Sequence, residues 1–315
     1  LCLVREGKAG IRRVATGGDV MELMVDTPVV AYAAPESVDE AVQLLAASDD
    51  ARVVAGCQSL GVFLRQKLIE TGLLVGLKRI PELGEIRELP DGALQIGAMV
   101  TQRTLETSSV VRDRYPALAE AAALIASPPV RQQGTIGGNL CHADPTGDPP
   151  AILIALGAEV EIASAAGRRW LPVEDLFIDY METVLALGEL LTAVRLPAPA
   201  DRSGAAYLKH RVRGVDTALV SAGVSLSLSG DGQVVKEARI GLAGAAPTPL
   251  RARAAELVLI DSAPSAETFA AAGAAAAEES DPLDDTEGSA WYRREMIARF
   301  VQRAAEAALR RAQGA

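Results

Sequence analysis

Histidine, cysteine and aromatic side chains are scarce in this chain of 315 residues: two histidines, three cysteines and 3% aromatics. Two histidines, His142 and His210, cannot build a histidine-rich metal centre. Cys2, Cys57 and Cys141 lie too far apart for the spacings of zinc sites or disulfide frameworks. An iron–sulfur cluster ordinarily needs more cysteines than the chain holds. Unpaired cysteines suit a reducing cytoplasm. With so few aromatics, the core has to rest on Ala, Val, Leu and Ile. No apolar run approaches the roughly 20 residues of a membrane span, and the longest, Ala151 to Val160, contains Glu159. Arg12-Arg13 is not followed by an apolar stretch, so neither a secretory nor a twin-arginine signal is supported. A net charge of −10 excludes the basic footprint of a nucleic-acid binder. There is no nucleophile elbow, zinc signature or framed pair of carboxylates. No catalytic residue and no metal ligand is therefore assigned, and the chemistry has to come from a cofactor.

Glycine, in contrast, is concentrated where it means something. Gly134-Thr135-Ile136-Gly137-Gly138-Asn139-Leu140-Cys141-His142 runs on through Asp144-Pro145 to Asp148. Residues without a Cβ let backbone approach a ligand closely. Thr135 and Asn139 add a hydroxyl and an amide, and the stretch reads as a turn whose successive N–H groups form an anion nest. Upstream, Arg52-Val53-Val54-Ala55-Gly56-Cys57-Gln58-Ser59-Leu60-Gly61 reads as a short strand entering a small-residue loop, with a helix expected from Val62 to Ile69. A strand, a loop and a helix start make a phosphate site. The glycine spacing matches neither the P-loop nor the G-x-G-x-x-G fingerprint. Two such loops can hold the two phosphates of one dinucleotide, which requires them to lie side by side.

These motifs resemble the FAD-binding medium subunit of molybdenum hydroxylases, of the xanthine dehydrogenase and aerobic carbon monoxide dehydrogenase type. Ala55 to Leu60 matches the family's first phosphate loop, and Thr135 to Asn139, Asp144-Pro145 and Asp148 match its second motif. Glu189-Leu190-Leu191, Arg195-Leu196-Pro197, Tyr207-Leu208-Lys209, Arg213 with Asp216, and Trp291-Tyr292-Arg293-Arg294 match further along, from about residue 25 to about 312. The resemblance implies FAD in this chain, with a molybdenum–pterin centre in a large partner subunit and two [2Fe–2S] clusters in a small one. It further implies a dimer of heterotrimers, in which this chain passes electrons from the clusters to NAD, a quinone or oxygen. A stand-alone flavin oxidoreductase of the same fold and a flavin-free assembly subunit are the alternatives.

By the same resemblance, Val53 to Leu60, Ile125, Thr135 to Asn139, His142, Asp148, Leu191, Lys209 and Asp216 form the cofactor site. Asp148 would accept from the ribityl or adenosine end, or else act as a helix cap before Pro149-Pro150. Ile125 and Leu191 would line the ring or the adenine. Lys209 and Asp216 would face the isoalloxazine, where a cation stabilises negative charge on reduced flavin. His142 suits orienting backbone better than moving protons, and Cys141 reads as a buried packing residue. Cys57 stands where the family most often has Gly, and it reads as a small buried side chain.

The fold expected is α+β: an α/β flavin domain of the PCMH/vanillyl-alcohol-oxidase type with two subdomains, then a smaller C-terminal α+β domain with an antiparallel sheet. Residues 1–23 lack period and caps and read as an extension expected to be disordered, with Met21 or Met24 as candidate starts. The flavin domain is set at 24–200 and the C-terminal domain at 204–315, either side of the Pro197–Gly204 linker. Ser37 and Glu40 have capping-box spacing. Strands are expected at Leu73–Leu77, Leu94–Ala98 and Glu159–Ala163, and helices at Pro116–Ala126 and Pro149–Leu156. Beyond the linker, Ala218–Ser229 alternates as a half-buried strand. It turns at Asp231-Gly232 into Val234–Leu242, and a last helix spans Ser289–Arg311.

Overall fold

Ala31–Ala33 (β1) opens a parallel three-stranded sheet in the computed structural model, which describes residues 30–214 and 217–314. The strands lie in the order β1-β3-β2, with β2 at Ala51–Val54 and β3 at Leu73–Gly76. Val38–Ala46 (α1) crosses from β1 to β2, burying Val38, Ala41, Val42 and Leu45 at helical period. Ser37 caps it, accepting the Glu40 N–H at 3.2 Å. The Glu40 carboxylate reaches back to the N–H of Glu36 at 2.9 Å, one residue before the position a capping box prescribes. Leu60–Arg65 (α2) leads from β2 to β3. It is shorter than the expected helix and starts two residues earlier, at the phosphate loop.

The second unit is a five-stranded antiparallel sheet in the order β4-β5-β10-β6-β7. Its strands are Ile86–Glu88 (β4), Leu94–Gly97 (β5), Glu159–Ser164 (β6), Gly167–Pro172 (β7) and Leu190–Leu196 (β10), with a hairpin of Phe177–Asp179 (β8) and Glu182–Thr183 (β9). Between β5 and β6 come Gln102–Thr107 (α3), Ser109–Arg114 (α4), Pro116–Ala123 (α5), Pro128–Gln133 (α6), Ile136–His142 (α7) and Asp148–Ala155 (α8). The glycine motif is therefore the first turn of α7, not a free turn. Thr135 caps that helix, its Oγ1 accepting from the Gly138 N–H.

The third unit is an antiparallel sheet, β11-β12-β13-β14, at Ser203–His210, Val220–Leu228, Val235–Ala243 and Leu250–Arg251. One face carries Val220, Ala222, Val224, Leu226, Ile240 and Leu242 into a core with Arg253–Leu259 (α9), Ala266–Glu279 (α10) and Ala290–Ala312 (α11). Successive residues point to opposite faces, so Tyr207, Gly223 and Gly241 face the other way. They form one cross-strand row. All eight residues of α8 are buried, and α8 lies across the two glycines. A Cβ on Gly223 would come within 2.8 Å of the Ala151 carbonyl oxygen, and one on Gly241 would collide with the same atom. The expected α+β architecture is thus observed. The N-terminal extension and the start of the flavin domain at residue 24 lie outside the described residues.

Gly241→Val should lower stability by at least the ~1–3 kcal/mol of overpacking, because the atom in the way is helix backbone. Urea unfolding of the full chain against Ser225→Ala, at a half-buried position of the same sheet, provides the comparison. Equal midpoints would mean that α8 is not seated on this row.

Candidate functional site

A cleft of about 430 Å³ opens where the parallel sheet, the helical segment and β11 meet. A larger cleft of about 1360 Å³ runs along the Pro197–Gly204 connection, but it contains none of the residues expected to bind the cofactor. The chemistry places the site in the smaller one. Its walls include Val53, Ala55, Gly56, Cys57, Gln58, Ser59 and Leu60 from the first loop and Thr135, Gly137, Gly138, Asn139 and His142 from the second. Ile125, Asp148, Leu191 and Lys209 line it as well. Two expected residues stand back from the cleft. Ile136 is fully buried in the hydrophobic core. Val54 pairs with Gly76 at the end of β2 and does not reach the cleft wall. Asp216 lies outside the described residues.

The two loops do lie side by side. A Cβ on Gly56 would collide with the Gln133 carbonyl, and one on Gly138 would stand 3.5 Å from the Ala55 Cβ. Glycine is required at Gly56 because another backbone passes there. The loops contribute different things, however. Among the described residues, the N–H groups of Gly56, Cys57, Gln58, Ser59 and Leu60 make no hydrogen bond to protein, so this loop carries the anion nest. The second loop has spent most of its backbone donors, Thr135 N–H excepted. Ile136 N–H donates to Val100 O and Gly137 N–H to Ala98 O, both at 2.9 Å, and Asn139 N–H donates to Thr135 O at 3.0 Å. The reason is that residues 134–137 pair with residues 98–102 before turning into α7. What this loop offers is the Thr135 hydroxyl, the Asn139 amide, whose buried Oδ1 has no partner among the described residues, and the bare Cα of Gly138.

Cys57 is exposed, not a small buried side chain. Its φ is +58°, the left-handed region that costs a side chain about 1–2 kcal/mol and glycine almost nothing. That conformation explains why glycine is the common choice there. The thiol leans over the helix start, 3.0 Å from where a Cβ on Gly61 would stand. Cys141 likewise is not sealed in a core, since it is open to the cleft. The surrounding protein still desolvates it and pushes its thiol up to about 12, so it stays protonated.

Two interactions could not be read from the motifs. Lys209 Nζ lies 2.8 Å from Asp148 Oδ2, with side chains only 2% and 7% exposed, and it also donates to Leu124 O at 3.2 Å. Tyr207 OH donates to the other carboxylate oxygen, Oδ1. Asp148, the first residue of α8, is therefore held from β11, and burial pushes its carboxyl above the usual range against the pull of Lys209. The same carboxylate and burial raise the Tyr207 phenol well above its ordinary value. The second interaction is a ring pair, Phe63 with His142, at 5.6 Å between centroids. Burial lowers the His142 pKa. Burial does the same to His210, which pairs with Tyr292 OH at 3.1 Å. Tyr207, Phe63 and Gln102 also belong to the site or its support. Of these, only Tyr207 lay in a quoted motif. Among the described residues there is no His/Cys/Asp/Glu group that could hold a metal and no helix long and apolar enough to cross a membrane.

Residues 26–199 match the model of the FAD binding domain in molybdopterin dehydrogenase, and residues 205–308 match that of the CO dehydrogenase flavoprotein C-terminal domain. The chain is 38% identical to the 6-hydroxypseudooxynicotine dehydrogenase complex subunit alpha of Paenarthrobacter nicotinovorans, over 90% of this chain and 96% of that one. It is 38% identical to the carbon monoxide dehydrogenase medium chain of Hydrogenophaga pseudoflava, over 89% and 97%. A solved structure of carbon monoxide dehydrogenase from Hydrogenophaga pseudoflava superposes with a TM-score of 0.87 at 40% identity, covering 90% of this chain and 98% of that one.

Both histidines have folded-state pKa values below the ordinary 6.5. A depressed value means stability that is fully present above pH 6.5 and lost as pH falls through the folded values. Between pH 6.5 and about 5, where ordinary carboxylates stay ionised, thermal unfolding should move to lower temperature. The double variant His142→Asn with His210→Asn should flatten that slope; an unchanged slope would assign it elsewhere.

Proposed function

Because the chain belongs to the FAD-binding family of the molybdopterin dehydrogenases, we propose that it is the electron-relay flavoprotein subunit of a molybdenum hydroxylase. The observation that carries the reading is the row of unpaired N–H groups at Gly56–Leu60 facing Thr135, Gly138 and Asn139 across one cleft. These residues fit FAD. The row takes pyrophosphate oxygens, Gly138 admits them, and Thr135 and Asn139 add side-chain hydrogen bonds. Ile125 and Leu191 wall the cleft with apolar surface, and the Phe63–His142 pair closes one part of it. Lys209, fixed by Asp148, supplies a positive charge that does not need to reorganise. Asp216 is retained as a ring-facing residue on the strength of the resemblance alone. When bound, FAD supplies one- and two-electron redox chemistry.

In this reading, a small subunit with [2Fe–2S] clusters delivers the electrons, and a large molybdenum–pterin subunit hydroxylates substrate with oxygen from water. NAD, a quinone or oxygen takes the electrons away, and the complex is a cytoplasmic dimer of heterotrimers. The names of the relatives, a medium chain and a complex subunit, support a subunit role. Residues 24–200 form the flavin domain and 204–315 the C-terminal domain in the same reading.

The purified chain should carry stoichiometric FAD and turn over no substrate of the complex. Rapid mixing of the assembled complex with substrate should bleach the iron–sulfur bands no later than the flavin band. Multiple turnovers by the chain alone would make it a complete oxidoreductase and end the relay reading. Gly138→Val should lose flavin with a smaller drop in unfolding midpoint than Gly137→Val, because its Cβ would face the cleft and press only on the Thr135 hydroxyl, at 2.8 Å. Gly137→Val should unfold more easily, because its Cβ would press within 2.8 Å of the Ala98 carbonyl.

A further inference from the structure

Gln102, the first residue of α3, is 2% exposed, and neither Nε2 nor Oε1 has a hydrogen-bond partner among the described residues. It also lines the cleft. Leaving a buried amide unpaired costs free energy on both its donor and its acceptor, and such groups in folded proteins call for an explanation. The same helix pairs its other inward polar group. Glu106, one turn on, binds Arg131 at 3.0 Å, and Arg131 in turn donates to Ile125 O at 2.9 Å. The protein thus fixes the cleft wall around Gln102 and leaves its amide unpaired in that wall.

The position narrows the ligand atoms. Gln102 N–H donates to Gly134 O at 2.8 Å. A Cβ on Gly56 would stand 2.8 Å from the Gly134 Cα, and one on Gly134 would stand 3.8 Å from the Gln58 Cγ. The Gln102 backbone therefore lies one residue from the loop that carries the anion nest, and its side chain lines the same cleft. A phosphate offers only acceptors and would leave Oε1 bare. In a dinucleotide, the groups next to the pyrophosphate on either side are polyhydroxylated sugar chains, and a hydroxyl both donates and accepts.

We propose that Gln102 is a cofactor-binding residue that takes both hydrogen bonds from a sugar hydroxyl of the bound dinucleotide, on the ribityl or the ribose side of its pyrophosphate. The inference rests on the flavoprotein reading and adds to it a residue outside the recognised motifs.

Titration calorimetry of the full-length apo chain with FAD, FMN and ADP tests it, using Gln102→Met to keep the volume without the amide and Gln102→Glu to remove the donor. Both variants should bind FAD about tenfold more weakly or worse, with the apo form of Gln102→Met melting no lower than wild type. A matching loss for FMN with ADP unchanged assigns the ribityl hydroxyls; a matching loss for ADP with FMN unchanged assigns the ribose. Unchanged FAD affinity in Gln102→Met would overturn the proposal in favour of an ordered water on the amide. So would a loss confined to FAD or spread equally over all three ligands with a lowered melting temperature. If the wild-type chain binds no FAD, the flavoprotein reading itself fails; if it does and Gln102→Met matches it, only the role of Gln102 falls.

Discussion

The seating of α8 on the C-terminal sheet is the contact on which the rest of the molecule depends. A row crosses four strands there: Tyr207, Gly223, Gly241 and Arg251. The two glycines let helix backbone lie directly on strand backbone. Polar clamps close both ends. Tyr207 holds Asp148 at the head of α8. Arg251 reaches Glu174 of the second unit at 3.0 Å, and Glu256 from behind at 2.9 Å. Hydrogen bonding to Glu256 and Glu174 raises the Arg251 pKa further, so its guanidinium stays charged. Removing either charge from such a pair would strand its partner in a desolvated place. The helix that closes the cleft is thereby fixed to the sheet that carries Lys209.

That arrangement makes the electrostatics of the cleft a consequence of packing. Lys209 is buried with its carboxylate, so the pair brings little net charge, but it brings it in a fixed orientation. Preorganised dipoles of this kind act on a redox centre without paying for reorganisation. The two glycine motifs divide the remaining work. The loop after β2 keeps its N–H groups unpaired because strand pairing ends at Val54 and α2 begins only at Leu60, so neither a ladder nor a helix supplies them acceptors. The loop before α7 ties its own groups into residues 98–102 and contributes shape.

Much of this was legible in the residues. Strand β2 with its loop, the capped α1, the alternating β12, the hairpin at Asp231-Gly232 and the last helix all come from short-range patterns. Most of the cleft wall was legible too, because side chains that face a phosphate cannot be large. The misreadings share one cause. Gly137-Gly138 reads as a turn because residues without a Cβ suit tight turns and close approach, yet Thr135 caps α7 and long-range pairing with residues 98–102 fixes its start. Cys57 reads as buried because the type usually is, and its left-handed backbone and exposure override the type. Ile136 reads with its motif, although its side chain is buried in the core.

What the sequence by itself determined is the kind of site: two small-residue loops whose composition allows a pyrophosphate and little else, and a cysteine and histidine count too low for clusters or metal centres. Those are local properties, set by which residues have a Cβ, a donor or a charge. Only the tertiary structure decided which donors are free, that Asp148 is spent on Lys209 and Tyr207, and that Gln102 is bare. Each of these depends on partners tens of residues away, and a hydrogen bond made or left unmade across such a distance leaves no trace in local spacing.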